Sequence, residues 1–279
     1  MSFPQFIRYD AVRQYIAAIR YKGTRELNTY LDDESIDLSQ CSTTLLCWAF
    51  YFLNKNNPTQ DELRNLITRD IDRREHPVGI DVLNPNHESE DFSSKRDLCD
   101  SALDIIAESW KPLYDLIGIV HPRICYPSSD ILAERNFESA SDPKYFGHLY
   151  FAMTRKTPMG WAEIIAHEMG HHYLFVIHAA FHRKVDAPWK EKFHSSIRNT
   201  DRPLIGIFHG TVAETFMILL AKSVLNNNEL ADHHPEAEEL LTRQLQHFAK
   251  DYATVEAHRA YDIDTDLKAA VEYCLTMGE

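Results

Sequence analysis

The sequence predicts a mainly α fold with a small β-sheet (α+β), in which a helix bearing a His-Glu-x-x-His run packs beside a second, ligand-bearing helix. Three observations predict it. Apolar residues recur at helical spacing through most of the chain. Period-two alternation, the mark of a half-buried strand, is confined to the middle. The composition, with 9 glycines against 14 Phe and 13 Tyr, leans helical. At 279 residues the chain is long enough to bury a full core. It reads as a single catalytic domain over 1–279, or as a helical half over 1–118 and a metal-binding half over 119–279.

From the start, Tyr9 to Leu31 sets Val12, Tyr15, Ile16 and Ile19 at helical spacing, with an interruption at Gly23. Thr43 to Leu53 reads as a buried helix. Thr59-Gln60-Asp61-Glu62 has capping-box spacing and starts a short helix running to about Thr68. Asp70 to Arg96 is polar and aperiodic, with Pro77, Gly79 and Pro85, and reads as a long loop or flap. Leu98 to Ile117 resumes helix, kinked or split at Pro112.

Strands are expected at Ile117 to Tyr126 and at Gly147 to Thr154. The second sets His148, Tyr150 and Ala152 on one side and Leu149, Phe151 and Met153 on the other. Thr157 as N-cap and Pro158 in the first turn then open a helix covering Trp161 to His182. A strand feeding such a helix is expected to leave a free edge that can hold an extended peptide. Further helices are predicted at Leu204 to Asn226, Pro235 to His258 and Asp266 to Met277, the last closed by Gly278.

Charge and cysteine usage narrow the function. The formal net charge of -13 argues against nucleic acid, whose phosphates require a surplus of Lys and Arg. Five scattered cysteines without a CxxC suggest neither a disulfide framework nor a thiolate metal site, which fits a reducing compartment. Met1 to Lys22 lacks the apolar core of a signal peptide, and Leu45 to Leu53, taken as the most apolar run, is too short to span a bilayer. The expectation is a cytoplasmic protein with no membrane partner.

His167-Glu168-Met169-Gly170-His171 carries the chemistry. Two histidines four apart on a helix aim their imidazoles from one face at one point, which suits a transition metal, with Glu168 one step round the helix. A catalytic metal needs a third ligand. Two candidates stand on the helix after Pro203: His209, on a face with Ile205, Val212 and Phe216, and Glu214, in an almost wholly apolar stretch. Five residues are about 140° of helix, so one of them is the ligand and the other is not. Glu214 would complete the two-His-plus-Glu set of a zinc peptidase, with Glu168 as general base. His209 would give three imidazoles, which suit iron as well as zinc, and the adjacent Gly206 and Gly210, which let another group approach, favour it.

With Pro188-Trp189 and the Arg-Pro-Leu-x-Gly-x-x-His-Gly pattern of Arg202 to Gly210, the stretch from Tyr150 to Val224 resembles the HExxH-motif peptide-modification proteins. These are described as iron- and 2-oxoglutarate-dependent peptide β-hydroxylases acting on ribosomally made peptides. The resemblance implies His167, His171 and His209 as ligands, Fe(II) and 2-oxoglutarate as cofactors, and a peptide or amino-acid side chain as substrate. Arg202 then suits the far carboxylate of 2-oxoglutarate, standing ~10 Å of helix before His209. Tyr150 and His148 are candidates for contact with cosubstrate or peptide, and Glu163 for the outer N–H of His167. In this chemistry Glu168 has no water to deprotonate and would instead orient a ligand, bind substrate or be a relic. The continuation His171-His172-Tyr173-Leu174 is also that of a peptidase helix, so a zinc metallopeptidase is the alternative.

Overall fold

The computed structural model describes residues 5–31, 36–72, 81–83, 91–125, 139–151, 156–181 and 185–277. They are mainly helical with a few short strands, as the periodicity predicts. The chain forms two compact units, neither of them one continuous stretch. A sheet unit comprises Tyr9–Arg96 and Ile117–Thr154; a helical unit comprises Met1–Arg8, Asp97–Leu116 and Arg155–Glu279.

In the sheet unit, helix α1 (Tyr9–Leu31) runs through Gly23 without a break. A Cβ at Gly23 would lie 2.2 Å from the Leu46 carbonyl oxygen. The glycine therefore brings the backbone of α1 onto that of α2 (Thr43–Asn56) instead of interrupting the helix. Leu27, Leu31, Leu46, Leu53, Leu63 and Ile67 form the core beneath them. The capping box of α3 (Gln60–Asp72) forms as predicted: the Thr59 N–H donates to Glu62 at 2.8 Å and the Glu62 N–H to the Thr59 hydroxyl at 3.2 Å. Helix α3 runs past Thr68 to Asp72, because buried Asp70 accepts the N–H and the hydroxyl of Ser42, each at 2.7 Å.

The sheet has strands β1 (Asp81–Leu83), β2 (Arg123–Cys125), β3 (Ser139–Ala140) and β4 (His148–Phe151), in the order β1-β2-β4-β3. Pairing is parallel except between β3 and β4. The alternation read for β4 holds over His148–Phe151, with Leu149 and Phe151 buried and His148 and Tyr150 half-buried; Ala152, Met153 and Thr154 lie outside the described residues. The free edge does not: β4 is an interior strand, paired with β2 on one side and β3 on the other. The expected loop from Asp70 to Arg96 holds β1 and the start of helix α4 (Asp91–Ser109); its 73–80 and 84–90 lie outside the described residues. The strand expected from Ile117 begins only at Arg123, since helix α5 (Lys111–Val120) continues to Val120 and His121 turns the chain at φ 47°.

In the helical unit α4 and α5 split at Trp110, and Pro112 sits in the first turn of α5, where its missing N–H costs nothing. Helix α6 (Pro158–Phe181) opens as expected, the Gly160 N–H donating to the Thr157 hydroxyl at 3.1 Å. Helices α7 (Leu204–Leu225), α8 (His234–Ala257) and α9 (Thr265–Leu275) follow; the Gly278 proposed to close the last lies outside the described residues. Helix α7 is apolar on every side and packs against α6, α8 and α9. Its mean hydropathy of 1.7 over a long window makes it a longer apolar stretch than Leu45 to Leu53. By length and composition it could cross a membrane, but 78% of that window is buried inside the protein, as in a core helix. Helices α6 and α7 cross at Gly170, where a Cβ would stand 2.8 Å from the Ala213 Cα. An antiparallel hairpin that the sequence reading missed, β5 (Lys192–Ser195) and β6 (Thr200–Pro203), leads straight into α7.

Candidate functional site

Helix α6 delivers the paired imidazoles as its periodicity requires. The Nε2 atoms of His167 and His171 lie 3.1 Å apart, with the ring planes at 88°. Two nitrogens each about 2.1 Å from a shared metal would stand about 3.0–3.4 Å apart at bond angles between 90° and tetrahedral, so the pair fits one ion. His209 on α7 meets this pair ring to ring: its centroid is 5.7 Å from that of His171, and it stacks on His178 at 5.7 Å. Among the described residues, no group of three or more His, Cys, Asp or Glu is arranged to hold a metal ion. The structure therefore brings together two candidate ligands, with His209 beside them.

All three rings are neutral at neutral pH. Burial, aided by the charge of Arg198, depresses His167 to about 4. Burial, then His178 and Arg202, takes His209 to about 3. His171 is lowered well below the usual imidazole range, by burial first and then by its histidine neighbours. Neutral rings keep the lone pairs that metal binding uses. His167 is still 22% exposed, so the pair can be reached from solvent.

Glu168 is fully buried, its Oε1 4.0 Å from His167 Nε2, so its carboxylate lies beside the paired nitrogens. Glu163 accepts from Arg243 at 2.6 Å, an ion pair. His172 is buried, with Nδ1 2.9 Å from the Glu168 carbonyl oxygen; a carbonyl only accepts, so Nδ1 carries the proton. Glu214 is buried on α7, its Oε2 without a hydrogen-bond partner among the described residues. Burial, and secondarily Asp251, raise its carboxyl well above the usual range against the opposing pull of Arg198. Tyr150 belongs to the sheet unit, its ring stacked on His148 at 4.6 Å.

The hairpin supplies the charge. Arg202 on β6 lays its guanidinium over Gly206, within 3.5 Å of where a Cβ would stand, one turn before His209. Its charge lowers both His171 and His209, and that of Arg198, in the turn of the same hairpin, lowers His167. Among the described residues neither arginine makes an ion pair; Asp201, a candidate partner for Arg202, faces His194 at 3.7 Å. The hairpin is anchored from α8 by buried Asp251. It accepts the Ser195 hydroxyl at 2.7 Å, the Ser196 N–H at 2.5 Å and the Ser196 hydroxyl at 2.6 Å. Sequence reasoning missed Arg198 as a neighbour of His167 and Asp251 as an anchor. Only the Ser-Ser and Arg-Asn steps hinted at a turn, in which Asn199 takes φ 48°.

Comparison with protein-family models gives no match, and comparison with curated proteins gives none either. The resemblance to HExxH peptide-modification proteins thus rests on the motif residues.

Proposed function

We propose that this chain is a non-haem iron, 2-oxoglutarate-dependent oxygenase that hydroxylates or otherwise oxidises a side chain of a ribosomally made peptide, with His167, His171 and His209 as metal ligands. One observation carries the reading: Arg198 and Arg202, which make no ion pair among the described residues, press their charge on three neutral imidazoles. Uncommitted guanidinium groups beside a neutral metal-binding pair suit a small dianion that reaches both the metal and a cation. Bound iron would supply dioxygen activation coupled to oxidation of the cosubstrate. The chain's residues bind and orient. The imidazoles hold the metal, Arg202 grips the far carboxylate with Arg198 reinforcing the field, and buried Glu168 orients the ligand helix from within.

A second reading keeps one observation in its favour. The Glu168 carboxylate, 4.0 Å from His167 Nε2, stands where a zinc peptidase keeps its general base. The proposal also places the protein in the cytoplasm, since Cys47 and Cys274 are buried free thiols. The test is anaerobic addition of Fe(II) and then 2-oxoglutarate to the metal-free protein. A visible charge-transfer band that saturates with cosubstrate is expected. Stoichiometric tight zinc with no such band would transfer the assignment to the peptidase.

A further inference from the structure

The sheet unit holds a cavity of about 260 Å³ that the oxygenase reading does not use. Leu45 and Trp48 of α2, Leu66 of α3, and Tyr145 and His148 give it largely apolar walls. Several of these walls are fixed from behind. Tyr145 stacks on Phe52 at 5.1 Å, and His148 stacks on Tyr150 at 4.6 Å. Trp48 packs on the cluster around Leu46 and Leu53. The lining also contains the buried pair Asp70–Arg123, in which the Arg123 Nη2 donates to the Asp70 carbonyl at 3.0 Å and the guanidinium meets the carboxylate.

Two features set this cavity apart from a packing defect. Leu66 is 40% exposed, one of few large apolar side chains left so, and it stands at the cavity with Arg69 one turn further along α3. Arg69 is exposed and makes no ion pair among the described residues. The lining therefore carries two guanidinium groups against one carboxylate, and the Arg123 charge is already matched by Asp70. An apolar chamber with one uncommitted cation selects a small amphiphilic anion.

We propose that this cavity binds a carboxylate with an aromatic or branched apolar body, the body against Trp48 and Leu66 and the carboxylate on Arg69. The volume, below the roughly 300 Å³ at which sites for drug-sized ligands begin, restricts the body to about one ring. A free aromatic acid and the carboxyl end of a peptide with a terminal apolar residue share this chemistry.

The probe is phenylacetate, titrated into the isotope-labelled full chain while the indole N–H resonance of Trp48, assigned with Trp48→Phe, is followed. A saturable shift is expected, with phenylacetamide, the same body without charge, binding about tenfold more weakly. Arg69→Gln, on an exposed residue that makes no ion pair among the described residues, should weaken phenylacetate by about tenfold and leave phenylacetamide unchanged. Acetyl-Gly-Phe with a free carboxyl separates the sources: tighter binding than phenylacetate marks a peptide end, weaker binding a free acid. No saturable shift with either anion, or equal phenylacetate affinity in Arg69→Gln, would overturn the proposal.

Discussion

Arg202 reaches the imidazoles through its charge, and its surroundings decide how an anion would be held. The first helical N–H groups of α7 do not contribute as their position in sequence suggests: Leu204 donates to the Glu191 carbonyl at 2.8 Å and Ile205 to that of Trp189 at 3.2 Å. In the proposed oxygenase the guanidinium would then carry the contact. Arg202→Ala should then raise the 2-oxoglutarate concentration needed for half-saturation by about tenfold or more, with iron binding almost unchanged. Equal cosubstrate affinity in the variant would reduce Arg202 to a hairpin residue. His172 gives a second prediction at this scale. Its ring is held neutral down to about pH 4 by burial, whereas in the unfolded chain it protonates near 6.5. Between those values the unfolded state binds the extra proton, so stability present above pH 6.5 is lost as pH falls. From pH 6.5 to 5 this ring alone costs roughly 2 kcal/mol. Denaturant midpoints of the metal-free protein at pH 7 and 5 should fall further for the parent than for His172→Leu, by about that amount.

Among the elements, those whose signal is local were legible in the sequence. The long helices carry their periodicity within their own residues, and the capping box of α3 and the N-cap of α6 lie within four residues of the groups they satisfy. The His167–His171 pair was legible for the same reason. The β5–β6 hairpin was not: Thr-Asp-Arg-Pro has little strand propensity, and its pairing is fixed by Asp251 from a distant helix. Gly23 reads as an interruption, yet it marks a close approach to another helix, as does Gly170. Gly170→Ala should force α6 and α7 apart and cost about 1–3 kcal/mol by denaturant titration, more than a Gly→Ala gain in helix propensity can offset. Asp251→Ala removes three acceptor contacts from the hairpin and should cost at least about 2 kcal/mol, together with faster hydrogen exchange at the Ser196 amide. Unchanged exchange there would show that the hairpin holds itself.

For the whole molecule, the two catalytic readings share one scaffold and one metal-binding pair, and they part at Glu168. In a peptidase this carboxylate must take a proton from metal-bound water, so Glu168→Gln removes the base and lowers turnover by about two to four orders of magnitude. In the oxygenase proposed here no such proton leaves. Glu168 is fully buried inside the helical unit, and the amide of glutamine keeps its volume and one acceptor oxygen. Glu168→Gln should therefore retain iron binding and most of the turnover of 2-oxoglutarate, measured as succinate formed in the presence of a candidate peptide. The formal charge of -13 favours peptides rich in Lys and Arg as the first to be screened. Metal content and far-ultraviolet circular dichroism of the variant separate loss of chemistry from loss of fold. Complete loss of succinate formation with iron bound and the fold intact would show that the Glu168 carboxylate takes part in the chemistry and overturn its role as an orienting group.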